Sequence, residues 1–188
     1  MLIIYAHPNK NGHCGYILQQ VQKELENKKI SFQILDLYQE NYNPVLKPEE
    51  HYTSGHKNIS EDTIRYQKML VKNDKFIIIY PTWWNGVPAI LKGFFDRTLT
   101  SGFAYRYING IPRGLLKGRA LVFTTTGAPE IIERIVLGSR SLKMVTSDTL
   151  RFCGIKARCI IIGRALRLTD ETKKKIESKV TSALNYVI

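Results

Sequence analysis

Two adjacent tryptophans set between two prolines, in Pro81-Thr82-Trp83-Trp84-Asn85-Gly86-Val87-Pro88, are the first residues of this chain whose types point to chemistry. Gly86 and the prolines mark the segment as a turn, and two neighbouring indoles in a turn cannot both enter a core. An aromatic wall beside open backbone amides suits a flat conjugated ring; one tryptophan plugging the end of a sheet is the plainer alternative. A second segment, His7-Pro8-Asn9-Lys10-Asn11-Gly12-His13-Cys14-Gly15, follows an apolar run and leads into a helical pattern. Small residues there let N–H groups at a helix start converge on an anion, with Lys10 and two imidazoles close by. An ordinary turn with a capping asparagine would use the same residues. The third segment, Thr124-Thr125-Thr126-Gly127-Ala128-Pro129, offers hydroxyls and amides to the polar edge of a ring, although threonines also simply end strands. No GxGxxG and no GxxxxGK[ST] accompanies these segments, so neither a dinucleotide fingerprint nor a P-loop is supported.

These segments act together only if one scaffold brings them to one edge. Apolar runs at 2–6, 32–37, 76–80, 120–125 and 156–162 alternate with helical patterns. Four of them are near-continuous in Ile, Val, Leu and Phe, as parallel strands covered on both faces are. The run at 32–37 alternates more and belongs at an edge. Ile17, Leu18, Val21 and Leu25 form one helical stripe, and Ser60-Glu61-Asp62 opens a weaker helix. Pro88 can begin a third helix carrying Ile90, Leu91, Phe94, Phe95 and Leu99. Thr169 is a candidate N-cap for the last, with Ile176, Val180, Leu184 and Val187 as its stripe. This order implies an α/β fold, a flavodoxin-like doubly wound five-stranded parallel sheet of order 2-1-3-4-5. Ligands bind beyond the carboxyl ends of such strands, where all three segments fall. Long connections at 38–58 and 100–117 are of the kind that serves function or an interface.

Length and composition set the outer bounds. The 188 residues, 44% hydrophobic and 23% charged, fit one domain over 1–188 and exclude disordered or fibrous classes. No apolar run approaches the roughly 20 residues of a membrane helix, so no stable membrane insertion is expected. The first residues have no basic lead-in, which argues against a signal peptide and for a cytoplasmic protein. Cys14, Cys153 and Cys159 form no even set and no CxxC, so no disulfide framework and no metal site is expected. Cys153 and Cys159 read as buried residues near the last strand, and His51 and His56 as surface residues of a polar loop. Cys14, beside the anion-binding segment, is the one thiol of interest. Net charge is +12, divided as +3 over residues 1–112 and +9 over 113–188. A basic half of this kind suits polyanions, an anionic cofactor or simple solvation. No nucleic-acid motif accompanies it, so no nucleic-acid partner is expected.

The string Trp84-Asn85-Gly86-Val87-Pro88-Ala89-Ile90-Leu91-Lys92-Gly93-Phe94-Phe95-Asp96-Arg97 resembles the signature of the flavodoxin-like NAD(P)H:quinone oxidoreductase family, that of DT-diaphorase and the modulator of drug activity B type reductases. The likeness extends over nearly the whole chain, through Ala6-His7-Pro8, Asp36-Leu37-Tyr38, Gly102-Phe103-Ala104-Tyr105 and Thr125-Thr126-Gly127. It implies that His7, His13 and Cys14 lie where the family holds a flavin phosphate. It implies likewise that Thr82, Trp83, Trp84 and Asn85 lie against the isoalloxazine, and Thr125, Thr126, Gly127 and Ala128 at its pyrimidine side. Tyr105 and Tyr107 match positions bordering the substrate pocket across a homodimer. The family often has Ser-Phe-Asn where this chain has Gly12-His13-Cys14, which shifts phosphate contacts toward backbone amides. Mammalian members carry a Tyr and a His after the Thr-Thr-Gly loop, proposed to relay charge. This chain has Glu130, Ile131, Ile132 and Glu133 there, so that relay does not carry over.

The expected function is flavin-dependent NAD(P)H oxidoreduction, with FMN or FAD left open, passing two electrons to quinones or similar electrophiles by a ping-pong scheme. No protein group is assigned a catalytic acid or base role. Amides of residues 82–85 and 126–128 are expected to stabilise charge on the cofactor. The alternatives are a regulatory flavoprotein docked on a potassium-efflux type membrane transporter and, further off, a basic nucleic-acid-binding domain.

Overall fold

Residues 1–51 and 59–188 are described by the computed structural model. In chain order the regular elements are β1 (Leu2–Tyr5), α1 (His13–Asn27), β2 (Gln33–Asp36), α2 (Glu61–Lys72), β3 (Lys75–Pro81) and α3 (Ala89–Thr98). There follow β4 (Tyr105–Ile108), β5 (Ile111–Gly114), β6 (Arg119–Thr125), α4 (Glu130–Ile135), α5 (Arg140–Lys143), β7 (Lys156–Ile162) and α6 (Asp170–Leu184). The five-stranded sheet has the order β2-β1-β3-β6-β7 and is parallel throughout, as expected once the separate β4-β5 hairpin is set aside.

Side-chain alternation along the strands splits the core into two layers. Ile3, Tyr5, Ile77, Ile79, Leu121 and Phe123 face the stripes of α1 and α6, where Ile17, Val21, Ile176 and Val180 are buried. Leu2, Ile4, Phe76, Ile78 and Val122 face α2 and α3. There Tyr42, Tyr66 and Phe94 meet edge-on with centroids 5.3 to 5.6 Å apart. The edge position of β2 agrees with its alternating sequence. Helix starts are capped at Ser60, whose side chain accepts from Thr63 N–H, and, as anticipated, at Thr169, whose side chain accepts from Thr172 N–H. Pro88 precedes the first turn of α3 instead of occupying it.

The connection 100–117 is a structured hairpin. Its base folds back, with Ala104 buried and Phe103 packed on the core, while Tyr107, Ile108 and Ile111 stay in solvent at 61%, 42% and 56% exposure. Where the sequence implied one helix between β6 and β7, there are two short ones and a π-helical stretch, Met144–Arg151. His56 lies outside the described residues, and His51 is half-buried.

The described part of the connection 38–58 is tied down by a buried ion pair. Arg97 on α3 donates from Nε and Nη2 to the two carboxylate oxygens of Glu50 at 3.0 and 2.8 Å, and from Nη1 to the Asn43 carbonyl. Both side chains are nearly sealed from water, at 7% and 6% exposure. Burial by itself would raise the Glu50 carboxyl; the Arg97 guanidinium outweighs it and holds the group below its usual value. Removing one partner of such a pair strands the other charge, so Arg97→Ala should cost about 3–5 kcal/mol in urea unfolding. The pair's contribution should be intact at neutral pH and lost as pH falls through the depressed Glu50 value, because only then does the folded state protonate it.

Candidate functional site

The start of α1 is built without a cap. Gly12 precedes it in extended backbone (φ −108°, ψ −166°), no side chain accepts from the first turn, and that turn holds no acidic residue. Free N–H groups and the positive end of the helix dipole are the conditions for holding an anion. The loop before it is shaped by local bonds, Asn9 N–H to His7 Nδ1 at 3.0 Å and Asn11 N–H to Asn9 Oδ1 at 2.7 Å. The Lys10 carbonyl rests on the helix so closely that a Cβ at residue 15 would lie 1.8 Å from its oxygen, so only glycine fits. Lys10 itself does not supply charge to this loop, contrary to expectation, because its ammonium pairs with Asp36 at 2.7 Å and Gln39 at 3.2 Å.

His13 is buried with Nε2 unpartnered. Burial pushes its pKa down, opposed by the Arg167 backbone, so the imidazole is neutral at neutral pH. Cys14 is buried with Sγ 3.5 Å from Thr125 Oγ1, and burial pushes its thiol up to about 12. The interest in Cys14 as a reactive thiol is therefore not sustained, since the thiolate is the reactive form. Burial likewise raises Cys153 to about 11 and Cys159 to about 12.

Trp83 and Gly86 exchange backbone bonds of 3.1 and 2.9 Å around a two-residue turn. The left-handed positions are Trp84 (φ 51°) and Asn85 (φ 57°), as in a type I′ turn. Gly86 is not the residue that needs freedom, since a Cβ there would meet only the Trp83 carbonyl at 3.6 Å. A left-handed tryptophan costs about 1 kcal/mol or more, a strain of the kind kept at functional sites. Trp84 is fully exposed, and Trp83 lies 5.8 Å from the His7 ring. Asn85 Nδ2 donates to the Leu137 carbonyl at 3.1 Å.

The supply of free amides is smaller than the sequence implied. Thr82 N–H donates to the Thr125 carbonyl, Trp83 N–H to Gly86 and Thr126 N–H to Ile162, while Ala128 N–H reaches Thr126 Oγ1 at 3.4 Å. Among the described residues, Trp84, Asn85 and Gly127 keep unpaired amides. The Thr82 hydroxyl is also committed inward. It donates to Ser141 Oγ at 3.1 Å, Ser141 Oγ donates to the Tyr80 hydroxyl at 3.2 Å, and Tyr80 donates to the Ser141 carbonyl at 3.2 Å. Each hydroxyl has one proton to give, so Thr124 must donate to Thr82 across their 2.9 Å contact.

One cleft of about 290 Å³ brings His7, His13, Cys14, Thr82, Trp83, Thr125, Thr126 and Gly127 together. Trp84, Asn85 and Ala128 continue the same loops without lining it. Ala165 and Leu166, after β7, line it as well and were missed; their place just beyond a strand's carboxyl end was the available signal. Tyr105 and Tyr107 are not brought to this cleft within one chain. Tyr105 packs on Phe152 at 4.9 Å and lines a separate cleft of about 330 Å³ beside α3, and Tyr107 projects into solvent. No metal-ligating group of His, Cys, Asp and Glu occurs among the described residues. An uncapped helix start, a neutral imidazole and a strained aromatic turn on one cleft can hold a phosphate and a flat ring.

The profile of a family described as having a flavodoxin-like fold matches residues 1–187. A protein of Haemophilus influenzae named as an uncharacterised NAD(P)H oxidoreductase is 38% identical over 93% of this chain and 88% of its own. The solved NAD(P)H:quinone oxidoreductase of Methanothermobacter marburgensis superposes with a TM-score of 0.84 at 26% identity, over 97% of this chain and 93% of that one. An FMN-dependent NADH-azoreductase of Bacillus anthracis, solved with FMN, shares the fold at a TM-score of 0.78 and 17% identity, over 96% and 97% of the two chains. On these matches the chain belongs to the flavodoxin-like fold family, beside relatives named as NAD(P)H oxidoreductases.

Proposed function

We propose that the protein is a flavin-dependent NAD(P)H oxidoreductase that reduces quinones or related electrophiles, and that the cleft of His7, His13, Trp83 and Thr126 holds the flavin. The carrying observation is the uncapped start of α1 on the same cleft as the left-handed tryptophan turn. Bound flavin supplies the two-electron chemistry, accepting from NAD(P)H and delivering to the acceptor. The protein's part is to bind and orient. First-turn amides of α1 take the phosphate, with neutral His13 as a further donor or acceptor, while Trp83 and Trp84 offer flat apolar surface. The free amides of Trp84, Asn85 and Gly127 favour negative charge at a ring edge. The same folds in the quinone oxidoreductase and FMN-bound azoreductase relatives support this reading.

Gly12 gives the placement a test with opposite signs. A Cβ at residue 12 meets nothing within 4 Å, so Gly12→Asp is accommodated. The new carboxylate would cap α1 and stabilise the apoprotein by about 0.5–1 kcal/mol in thermal melts. It would also repel a phosphate, weakening FMN at least tenfold by fluorescence titration and leaving riboflavin, which has none, within twofold. Equal losses for both ligands would put the phosphate elsewhere.

The reaction itself is tested by flavin uptake followed by NAD(P)H oxidation with a soluble quinone. If donor and acceptor both reach the bound flavin through this one cleft, they must alternate, and double-reciprocal initial-rate plots should be parallel. Intersecting lines would reject a shared site, and no flavin uptake would reject the function.

Tyr107 on one face of the β4-β5 hairpin, and Ile108 with Ile111 on the other, leave apolar surface exposed, which favours a homodimer that buries it on both subunits. Sedimentation at micromolar concentration should give a dimer. Tyr107→Ala should lower kcat/KM for the acceptor about tenfold, as loss of one buried aromatic contact does, with flavin affinity unchanged. A fully active monomer would exclude this arrangement.

A further inference from the structure

Among the described residues, Glu133 is the carboxylate sealed behind the cleft. It projects from α4 at 0% exposure, Oε2 accepts from Thr126 Oγ1 at 3.2 Å, and Oε1 has no partner. No lysine or arginine pairs with it among the described residues. Thr126 lines the cleft, so the carboxylate stands one hydroxyl away from it. A buried acceptor left half satisfied costs stability. Its neighbour Glu130 shows the contrast, with Lys175 and Lys179 each at 2.6 Å.

We infer that Glu133 is a positioning residue for the polar edge of the bound flavin: through Thr126 it sets the 126–128 turn. The turn follows from hydrogen-bond direction. Thr126 gives its proton to Glu133, which leaves its oxygen to accept from Ala128 N–H, so Gly127 N–H is the amide left open. The inference rests on the proposed flavin site.

The test is FMN binding by fluorescence titration, with thermal melts of the apoproteins, for wild type, Glu133→Gln and Glu133→Met. Gln keeps an acceptor for Thr126, and Met removes it in a similar volume. Oxidised FMN should stay within twofold for Gln and weaken about tenfold for Met, whose turn is no longer set. The melting temperature of the Met apoprotein should not fall with it, because an unsatisfied buried oxygen has gone. Unchanged FMN affinity in the Met variant, or affinity lost only in step with stability in both variants, would reduce Glu133 to a structural residue and overturn the inference. Failure of the wild type to take up FMN would overturn the site itself, a separate result.

Discussion

The parallel ladder between β3, β6 and β7 governs everything at the cleft. Pro81 pairs with Thr125 and Thr125 with Ile162, so three strands end on one line. The ladder then runs one residue further, through Thr82 N–H to Thr125 at 2.7 Å and Thr126 N–H to Ile162 at 3.0 Å. A slip of one residue would turn Ile77, Ile79, Leu121 and Phe123 toward the wrong helices, so register is held by the whole core. The donors left for a ligand are those that remain once the ladder has taken its share. That is why the amides of Trp84, Asn85 and Gly127 stay free and those of Thr82 and Thr126 do not.

Strands and sheet order were legible because parallel strands, covered on both sides, read as unbroken apolar runs. The cleft was legible for the same reason, since three strand ends had to share an edge. The hairpin was missed although Asn109-Gly110, with φ of 51° and 76°, is the ordinary sequence signal for a two-residue turn. Other features have no local signal. Trp84 adopts a backbone conformation that its side chain disfavours, and the bond from Asn85 to Leu137 joins residues 52 positions apart. The short helices after Thr126 are tied to one distant loop, Asn85 donating to the Leu137 carbonyl and Thr82 to Ser141 Oγ, contacts that no local periodicity announces.

Charge, too, reads differently once placed. Part of the excess over residues 113–188 is internal: Lys175 and Lys179 converge on Glu130, and Lys179 also donates to the Ile161 carbonyl at 2.7 Å. Burial would raise the Glu130 carboxyl, but these lysines hold it down to about 2. The pair thus fastens α6 to the end of β7 and the start of α4, and those lysines are not available to a polyanion. Glu130 and Glu133, one helical turn apart, have opposite surroundings, the first held by two lysines and the second by one hydroxyl.

The hydroxyl series from Thr124 through Thr82 and Ser141 to Tyr80 has a direction and an end. It terminates on a carbonyl, which has no proton to pass on, and burial pushes the Tyr80 phenol further from ionising. Such a series works as a latch between strand ends and α5 and cannot serve as a proton wire, because every rotor would have to reverse at once. The series therefore gives the cleft no inward route for protons, and any that a reaction there needs come from its open side, where His7 lies.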